Sequence, residues 1–340
     1  MIKHLISSEG RFYKANLHNH STVSDGEKTP QELKAMYLAQ GYSIVAYTDH
    51  NRFVTHNELS DENFLALNGV EESADEQTGM RWHDRCCDLN FIALSPETKL
   101  HPLQARGAVS GDGEYAPFKA QYCVEDVNRM IRLGRENGFF VTHNHPTWSL
   151  EPPEIYMGYA GMHAMEIFNK SSEVDGYNEY NPDIYDAQLR AGKRLFCLAT
   201  DDNHNRQPGT MHWDSFGGFT MIKAPSLNYE DVTAALLRGD FYASRGPVLN
   251  ALWLDTSDNT VHLECEGVRR IIATRGGRRL RSVYAEEQGV EAITSAVFSI
   301  DPDDDYFRFT LIDEKGMTAD TNAYFLKDIG YVPKENDFKE

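Results

Sequence analysis

From Arg11 to about residue 225 the chain repeats one pattern: a short apolar run, a polar cluster, a stretch with helical apolar spacing, a glycine, and the next apolar run. The clearest unit is TPQELKAMYLAQG. Thr29 is placed to cap a helix, Pro30 suits its first turn, Glu32 completes a capping box, and Leu33, Met36, Tyr37 and Gln40 mark successive turns before Gly41. The β-rich run YSIVAYT follows and ends on Asp49 and His50. The same syntax returns in VEDVNRMIRLGRENG, with Val127, Met130, Ile131 and Arg135 at helical spacing before Gly138, and then FFVTHNHP. A third copy is DIYDAQLRAG, KRLFCLAT and DDNH. Alternation of this kind predicts an α/β fold of parallel strands with helical crossovers. Each unit delivers histidine or carboxylate at the strand's C-terminal end, where the loops of a parallel barrel converge on one face.

After GGFTMIKA and the helical NYEDVTAALLRG the texture changes. From FYASRGPVLNALWLD to NAYFLKDIGYV the runs are short, alternating and divided by turn residues, among them VHLECEG, RRIIATRGG, TSAVFSI and YFRFTLID. This predicts a small antiparallel sandwich-like domain of roughly 90 residues. The expected division is residues 1–245 and 246–340. The acidic DPDDDY at 301–306 reads as a solvated turn, since a calcium loop needs ligands at defined spacing.

A length of 340 residues accommodates both units, and 41% hydrophobic with 25% charged residues is ordinary for a globular protein. The formal charge of −19 makes nucleic acid or an anionic membrane surface an unlikely partner and leaves a small anionic substrate open. The opening MIKHLISSEGRFYK holds no secretory apolar core, and no stretch is apolar enough to span a bilayer, so a cytoplasmic location is expected. Cys86, Cys87, Cys123, Cys197 and Cys265 form no CxxC pair and are read as thiols, with Cys197 a small buried residue. The oligomeric state has no signal.

The candidate chemistry lies in NLHNHSTVSDG. On an extended segment His18 and His20 share a face, so both imidazoles can reach one ion. His50 in TDHN, Glu71 in NGVE, His145 in THNHP, and Asp202 with His204 in TDDNH each lie beyond an expected strand. With Asp25 these make eight candidate ligands, His18, His20, Asp25, His50, Glu71, His145, Asp202 and His204, more than one tetrahedral ion can use. Two or three divalent ions are therefore expected, with Glu71 the candidate bridge. Imidazole and carboxylate without clustered thiols suit zinc, manganese or iron in an open site.

In their order, NLHNHSTVSDG, AYTDHN, NGVEES, THNHP, MEIFN and TDDNH resemble the PHP superfamily, named for polymerase and histidinol phosphatase, over residues 12–225. The resemblance implies a distorted seven-stranded (β/α) barrel with two or three metals and phosphoesterase activity. Carried over by motif, His18, His20, Glu71 and Asp202 would hold one ion, Asp25, His50 and His204 another, and His145 would share a third with Glu71. The β-rich tail is similar to the appendage of two-domain members. One departure stands out. Where members carry a histidine between the Glu71 and His145 motifs, CCDLNFIAL offers Asp88, flanked by His83 and His101, and an oxygen ligand there favours manganese or iron.

Other residues have two readings. His143 could act as a ligand or an acid, Glu166 as a ligand or an orienting group, and Asp49 and Asp201 as holders of imidazoles. Arg52 and Arg206 follow ligand motifs and suit phosphate. Trp148 and Trp213 would wall a pocket or pack beneath the second domain, and Arg245 would approach from the barrel exit or support the junction. His4, His56, His163, His212 and His262 are read as surface or structural. The preferred function is hydrolysis of a small phosphate mono- or diester by a hydroxide bridging the metals. The alternatives are an amide or lactone hydrolase and a metal-stabilised binding protein. Nucleotide-driven transfer and serine chemistry lack their motifs: the chain has neither a Gly-rich phosphate loop nor a GxSxG elbow.

Overall fold

The structure is a computed structural model that describes residues 1–80, 83–104, 117–278, 280–301 and 303–330. The last ten residues of the expected β-domain and Pro302 of the acidic turn lie outside the described residues. The strands are β1 Ile2–His4, β2 Arg11–Asn16, β3 Ile44–Tyr47, β4 Leu65–Asp75, β5 Cys86–Ala93, β6 Phe139–His143, β7 Ala164–Asn169, β8 Phe196–Thr200, β9 Phe219–Ala224 and β10 Phe241–Ser244. They continue as β11 Leu249–Asp255, β12 Thr260–Val268, β13 Arg270–Arg275, β14 Arg281–Tyr284, β15 Ile293–Ser299, β16 Tyr306–Ile312, β17 Thr318–Thr321 and β18 Tyr324–Phe325. The helices are α1 Pro30–Ala39, α2 Val124–Glu136, α3 Pro153–Tyr156, α4 Lys170–Val174, α5 Pro182–Arg190, α6 Tyr229–Arg238 and α7 Ala285–Gln288.

Strands β2 to β8 pair in chain order within one large mixed sheet. The pairs β2–β3, β3–β4, β6–β7 and β7–β8 are parallel. β5 is antiparallel to both β4 and β6, which corrects the expectation of parallel strands throughout. The connection from Asp75 to Cys86 is too short for the dozen or so residues a parallel crossover needs, so the chain returns as a hairpin. Beyond the ends of β2 and β8, Asn19 and Asn203 form a parallel bridge. There the Asp202 N–H donates to His18 O at 3.0 Å and the His20 N–H to Asn203 O at 3.1 Å.

Alternation along each strand decides which side chains meet. Ala15, Ile44, Ala46, Leu65, Leu67, Ile92, Phe140, Ala164 and Leu198 come from one face of β2 to β8 and share a single buried cluster. Their neighbours Cys87, Leu89, Phe91, Phe139, Val141, Met165 and Cys197 face the other way, into a core shared with α2 and α5. Helix α2 presents Val127, Met130 and Ile131, and Gly134 lets it close on Phe91, whose ring would lie 2.4 Å from any Cβ there. Along the first face, apolar residues give way to Glu71, Asp88, Asn90, Thr142, Glu166 and Thr200, all buried, toward one end of the group.

The C-terminal strands are antiparallel, as the alternating runs predict. β1, β11, β12 and β15 form a four-stranded sheet, whereas β14, β13, β16 and β17 extend the large sheet through β10. Leu252, Leu254, Val261 and Leu263 of the first meet Ile271, Phe309 and Leu311 of the second in one core. No described helix is long and apolar enough to cross a membrane.

Candidate metal centre

His18 and His20 follow β2 on backbone held by the Asn19–Asn203 bridge, Glu71 stands on β4, and Asp202 follows β8. Their donor atoms converge. His18 Nε2 lies 3.1 Å from His20 Nε2, 3.2 Å from Glu71 Oε1 and 3.2 Å from Asp202 Oδ1. His20 Nε2 lies 3.2 Å from Glu71 Oε2 and 3.0 Å from the same Asp202 oxygen. Bonds of about 2.0 Å to a tetrahedral ion put its ligands about 3.3 Å apart, so these separations are those of a coordination shell. Two imidazole nitrogens face each other with carboxylates on either side, an arrangement that fits a cation.

Glu71 reaches further. Its Oε2 is 3.0 Å from His50 Nδ1, and its Oε1 is 3.3 Å from His145 Nε2 and accepts from Asn144 Nδ2 at 2.8 Å. His50 leads to Asp25, whose Oδ1 is 3.8 Å away, while Asp25 Oδ2 lies 3.4 Å from His204 Nε2. The His20 ring stacks between those of His50 and His204, with centroids 4.2 and 4.3 Å away, and its Nδ1 is buried without a hydrogen bond, 3.8 Å from Asp25 Oδ1. On the other side His145 Nε2 is 3.9 Å from Asp88 Oδ2, whose second oxygen is also buried and unpartnered. Three donor groups thus adjoin: His18, His20, Glu71 and Asp202; His20, Asp25, His50 and His204; and Glu71, Asp88 and His145. All eight expected ligands are brought together, with Asp88 beside them. Asp25 is 44% exposed and Glu71 only 1%, so the assembly opens to solvent on the Asp25 side.

The electrostatics ask for positive charge. Burial alone would strip His18, His20 and His145 of a proton, yet the surrounding Glu71 and Asp202 raise His20 to about 9 and His145 to about 10, and His18 rises well above its usual value. Burial pushes Glu71 and Asp202 up, but the histidines overcome it and hold both below the usual carboxylate range. Asp88, buried beside Glu71, is pushed up to about 6. Protons and a metal ion compete for the same nitrogens, and an ion would supply the charge these carboxylates require. His145 at φ 24° and Asp202 at φ 53° also occupy left-handed backbone that such residues seldom adopt, a cost of order 1–3 kcal/mol each that surrounding bonds must hold.

No family model matches the sequence, and no curated protein matches it. The chain course is similar to that of a solved structure. That structure is a two-domain protein containing a predicted PHP-like metal-dependent phosphoesterase from Bacteroides vulgatus, 14% identical with a TM-score of 0.47 over 94% of this chain and 98% of that one. An inferred metal-dependent phosphoesterase from Bifidobacterium adolescentis is 14% identical with a TM-score of 0.39, covering 60% of this chain and 91% of that one. An amidohydrolase from Chromobacterium violaceum with bound sulfate and no metal is 16% identical with a TM-score of 0.35, over 56% and 87%. These are likenesses of chain course at low identity, and the chemistry rests on this chain's own side chains.

Glu166 organises the centre without entering the first donor group. Its Oε1 is 2.7 Å from His18 Nδ1 and accepts from the Thr200 hydroxyl at 2.6 Å, while Oε2 accepts the His145 N–H at 2.9 Å and Asn169 Nδ2 at 2.8 Å. Asp49 and Asp201 hold loops, not imidazoles. Asp49 accepts the Ser21 and Ser24 N–H groups, and Asp201 accepts those of Phe216, Gly217 and Gly218 and the Tyr37 hydroxyl. His143 turns away: its Nε2 meets Glu151 at 2.6 Å on the outer face with Phe139 and Val141. The strand ends at His143 and the chain bends through His145, so the two-residue spacing no longer means a shared face. His83 is exposed and His101 pairs with Glu72 at 2.9 Å, both outside the three donor groups.

Arg206 sits at the opening with Nη2 3.1 Å from Asp25 Oδ2, and Arg52 is exposed on the loop after β3. Trp148 meets the His145 ring edge-on at 5.0 Å, while Trp213 packs on Phe216. Arg245 lies over Phe168 and pairs with Glu173. Asn144, Glu179 and Asp214 escaped the sequence reading. Glu179 accepts the Thr147 and Trp148 N–H groups and so pins the turn after His145; Asp214 accepts those of His204 and Asn205. Only Asn144, between two histidines, had a local signal. Gly26 is a further fixture, because a Cβ there would lie 2.3 Å from His20 O.

Proposed function

We propose that this protein is a metal-dependent phosphoesterase acting on a small phosphate mono- or diester, with residues 1–245 as its metal-binding unit and 246–340 as a β-rich companion. The ring of β2 to β8 is read as a distorted seven-stranded barrel, on the support of the bridge past β2 and β8 and the core those strands share. The observation that carries the functional reading is the donor set of His18, His20, Glu71 and Asp202, with the separations quoted above between 3.0 and 3.2 Å. The ligands fit two or three divalent ions, zinc, manganese or iron. When bound, such ions supply Lewis acidity toward phosphoryl oxygens and lower the pKa of water.

The chain's own groups do the rest. Glu166 fixes the His18 ring by taking its Nδ1 proton in a hydrogen bond, which leaves Nε2 free to give its lone pair. Glu71 shares its two oxygens between opposite sides of the centre. Arg206 is exposed and bound to one carboxylate oxygen, so a substrate phosphate can compete for its remaining donors. Trp148 offers an apolar wall for the leaving group beside His145.

The test is elemental analysis of purified protein together with phosphate release from panels of monoesters and diesters, and turnover of amides and lactones. Metal-dependent phosphate release is expected. Turnover of amides or lactones alone would replace the reading with the second hydrolase class, and full activity in chelated protein would end it.

A further inference from the structure

On the outer face of β5 and β6, behind the centre just described, lies a second convergence of ligand-type side chains. Cys87, His143 and Glu151 are all buried, and a sulfur, an imidazole nitrogen and a carboxylate oxygen from them lie within 4.8 Å of one another. His143 Nε2 is 2.6 Å from Glu151 Oε1, and the Tyr159 hydroxyl donates to Glu151 Oε2 at 2.6 Å while also meeting the Cys87 thiol. Alternation explains the place. Cys87 precedes Asp88 and faces the opposite way, and His143 stands with Phe139 and Val141 on the face away from the centre.

Hydrogen bonds alone do not complete this cluster. No lysine or arginine pairs with Glu151 among the described residues, so its side chain, fully shielded from solvent, has only the His143 ring to balance it. The ring's other nitrogen, Nδ1, is buried with no partner. A buried carboxylate with no cation beside it is costly.

We propose that Cys87, His143 and Glu151 hold a structural divalent metal ion of borderline softness, zinc in class, separate from the catalytic centre. Thiolate and carboxylate balance the ion's two charges, and a sulfur, nitrogen and oxygen set is one that zinc accepts. Binding sends the Cys87 thiol proton, and any proton shared by His143 and Glu151, to solvent. The ion ties Glu151, at the end of the segment that begins at His145, to strands β5 and β6. It thereby anchors the loop that delivers His145. The site does not rest on the phosphoesterase reading, since any chemistry at the other centre leaves it unchanged.

The other centre contains no thiol among its eight expected ligands, and this separates the two spectroscopically. Metal-stripped protein titrated with cobalt(II) alone should develop a near-ultraviolet sulfur-to-cobalt charge-transfer band. Cys87→Ser should lose the band and one equivalent of cobalt while the remaining cobalt absorption persists. Cys86→Ser, which removes the thiol whose Sγ lies 3.4 Å from Asp88 Oδ2, should keep the band. A wild-type protein without the band overturns the proposal even where a variant fails to fold. So does a band that survives Cys87→Ser or disappears in Cys86→Ser, and the four side chains then form a hydrogen-bonded network only.

Discussion

Two buried polar clusters in this molecule both set carboxylates around nitrogen, and they are opposite in design. Around Arg308, Nε and Nη2 reach Asp186 at 2.7 and 2.9 Å, Nη1 reaches Asp320 and Thr310 at 3.0 Å, and the Tyr180 hydroxyl completes Asp320 at 3.0 Å. Every donor named there has an acceptor, and the cluster joins α5 to β16 and β17. Around Glu71 lone-pair donors face one another, with His20 Nδ1 and Asp88 Oδ1 buried without a hydrogen bond. A self-satisfied network is a structural joint. A network of facing lone pairs has the geometry for a cation, and second partners such as Glu166 hold its side chains in place.

The largest break in the comparison comes from the centre itself. Asp202→Ala should lose the metal and lower metal-dependent phosphate release by roughly a thousandfold, the scale of losing a principal electrostatic stabiliser. Its metal-free protein should melt near the wild-type midpoint. Unchanged activity at full metal content would remove Asp202 from the centre. Arg308→Met is the reverse case. It strands Asp186 and Asp320, whose burial already pushes the latter's carboxyl up, and should cost about 3–5 kcal/mol while the surviving folded protein keeps its metal. Equal melting of Arg308→Met and wild type would show that the joint carries no stability.

Glu166→Gln tests the supporting layer. The amide keeps the shape and loses the charge that orients His18, so metal affinity should fall about 10- to 100-fold with the fold intact. An unchanged dissociation constant by competition with a chelator would reduce Glu166 to packing.

Much of this was legible because metal ligands obey local geometry. HxH on extended chain, TDHN and TDDNH each place donors just past a strand, and parallel neighbours bring strand ends to one edge. What was hidden depends on contacts distant in sequence. The β5 reversal is set by loop length and pairing, not by apolar pattern, and β1 joins β11 across some 250 residues of chain. Glu179 sits in a polar stretch with no periodicity, and nothing in it says that its carboxylate will hold the turn at Thr147. The rule that brings His18 and His20 to one face does not extend to His143 and His145: His20 stays on extended chain beyond β2, whereas His145 at φ 24° does not.

The smallest expected effect contrasts an imidazole set among carboxylates with one that has none. His145 is raised to about 10 by its carboxylates, whereas His163, with no carboxylate partner, is lowered to about 4 by burial and then by Arg135. His163 Nδ1 accepts the Val141 N–H at 2.9 Å, and its ring stacks on Phe140 at 4.8 Å, so the folded state needs the neutral form. In the unfolded chain it titrates near 6.5. Between these values the unfolded state binds the extra proton, so stability is full above about pH 6.5 and declines as pH falls toward 4. After allowance for partial exposure of the ring the loss should be about 2 kcal/mol. His163→Gln can keep an acceptor for Val141 without a proton to gain. Its melting temperature should fall less than that of wild type between pH 7 and 5, measured in chelator so that metal loss does not contribute. Parallel slopes for the two proteins would mean that His163 carries no such linkage and that burial without a carboxylate does not oppose the charged ring.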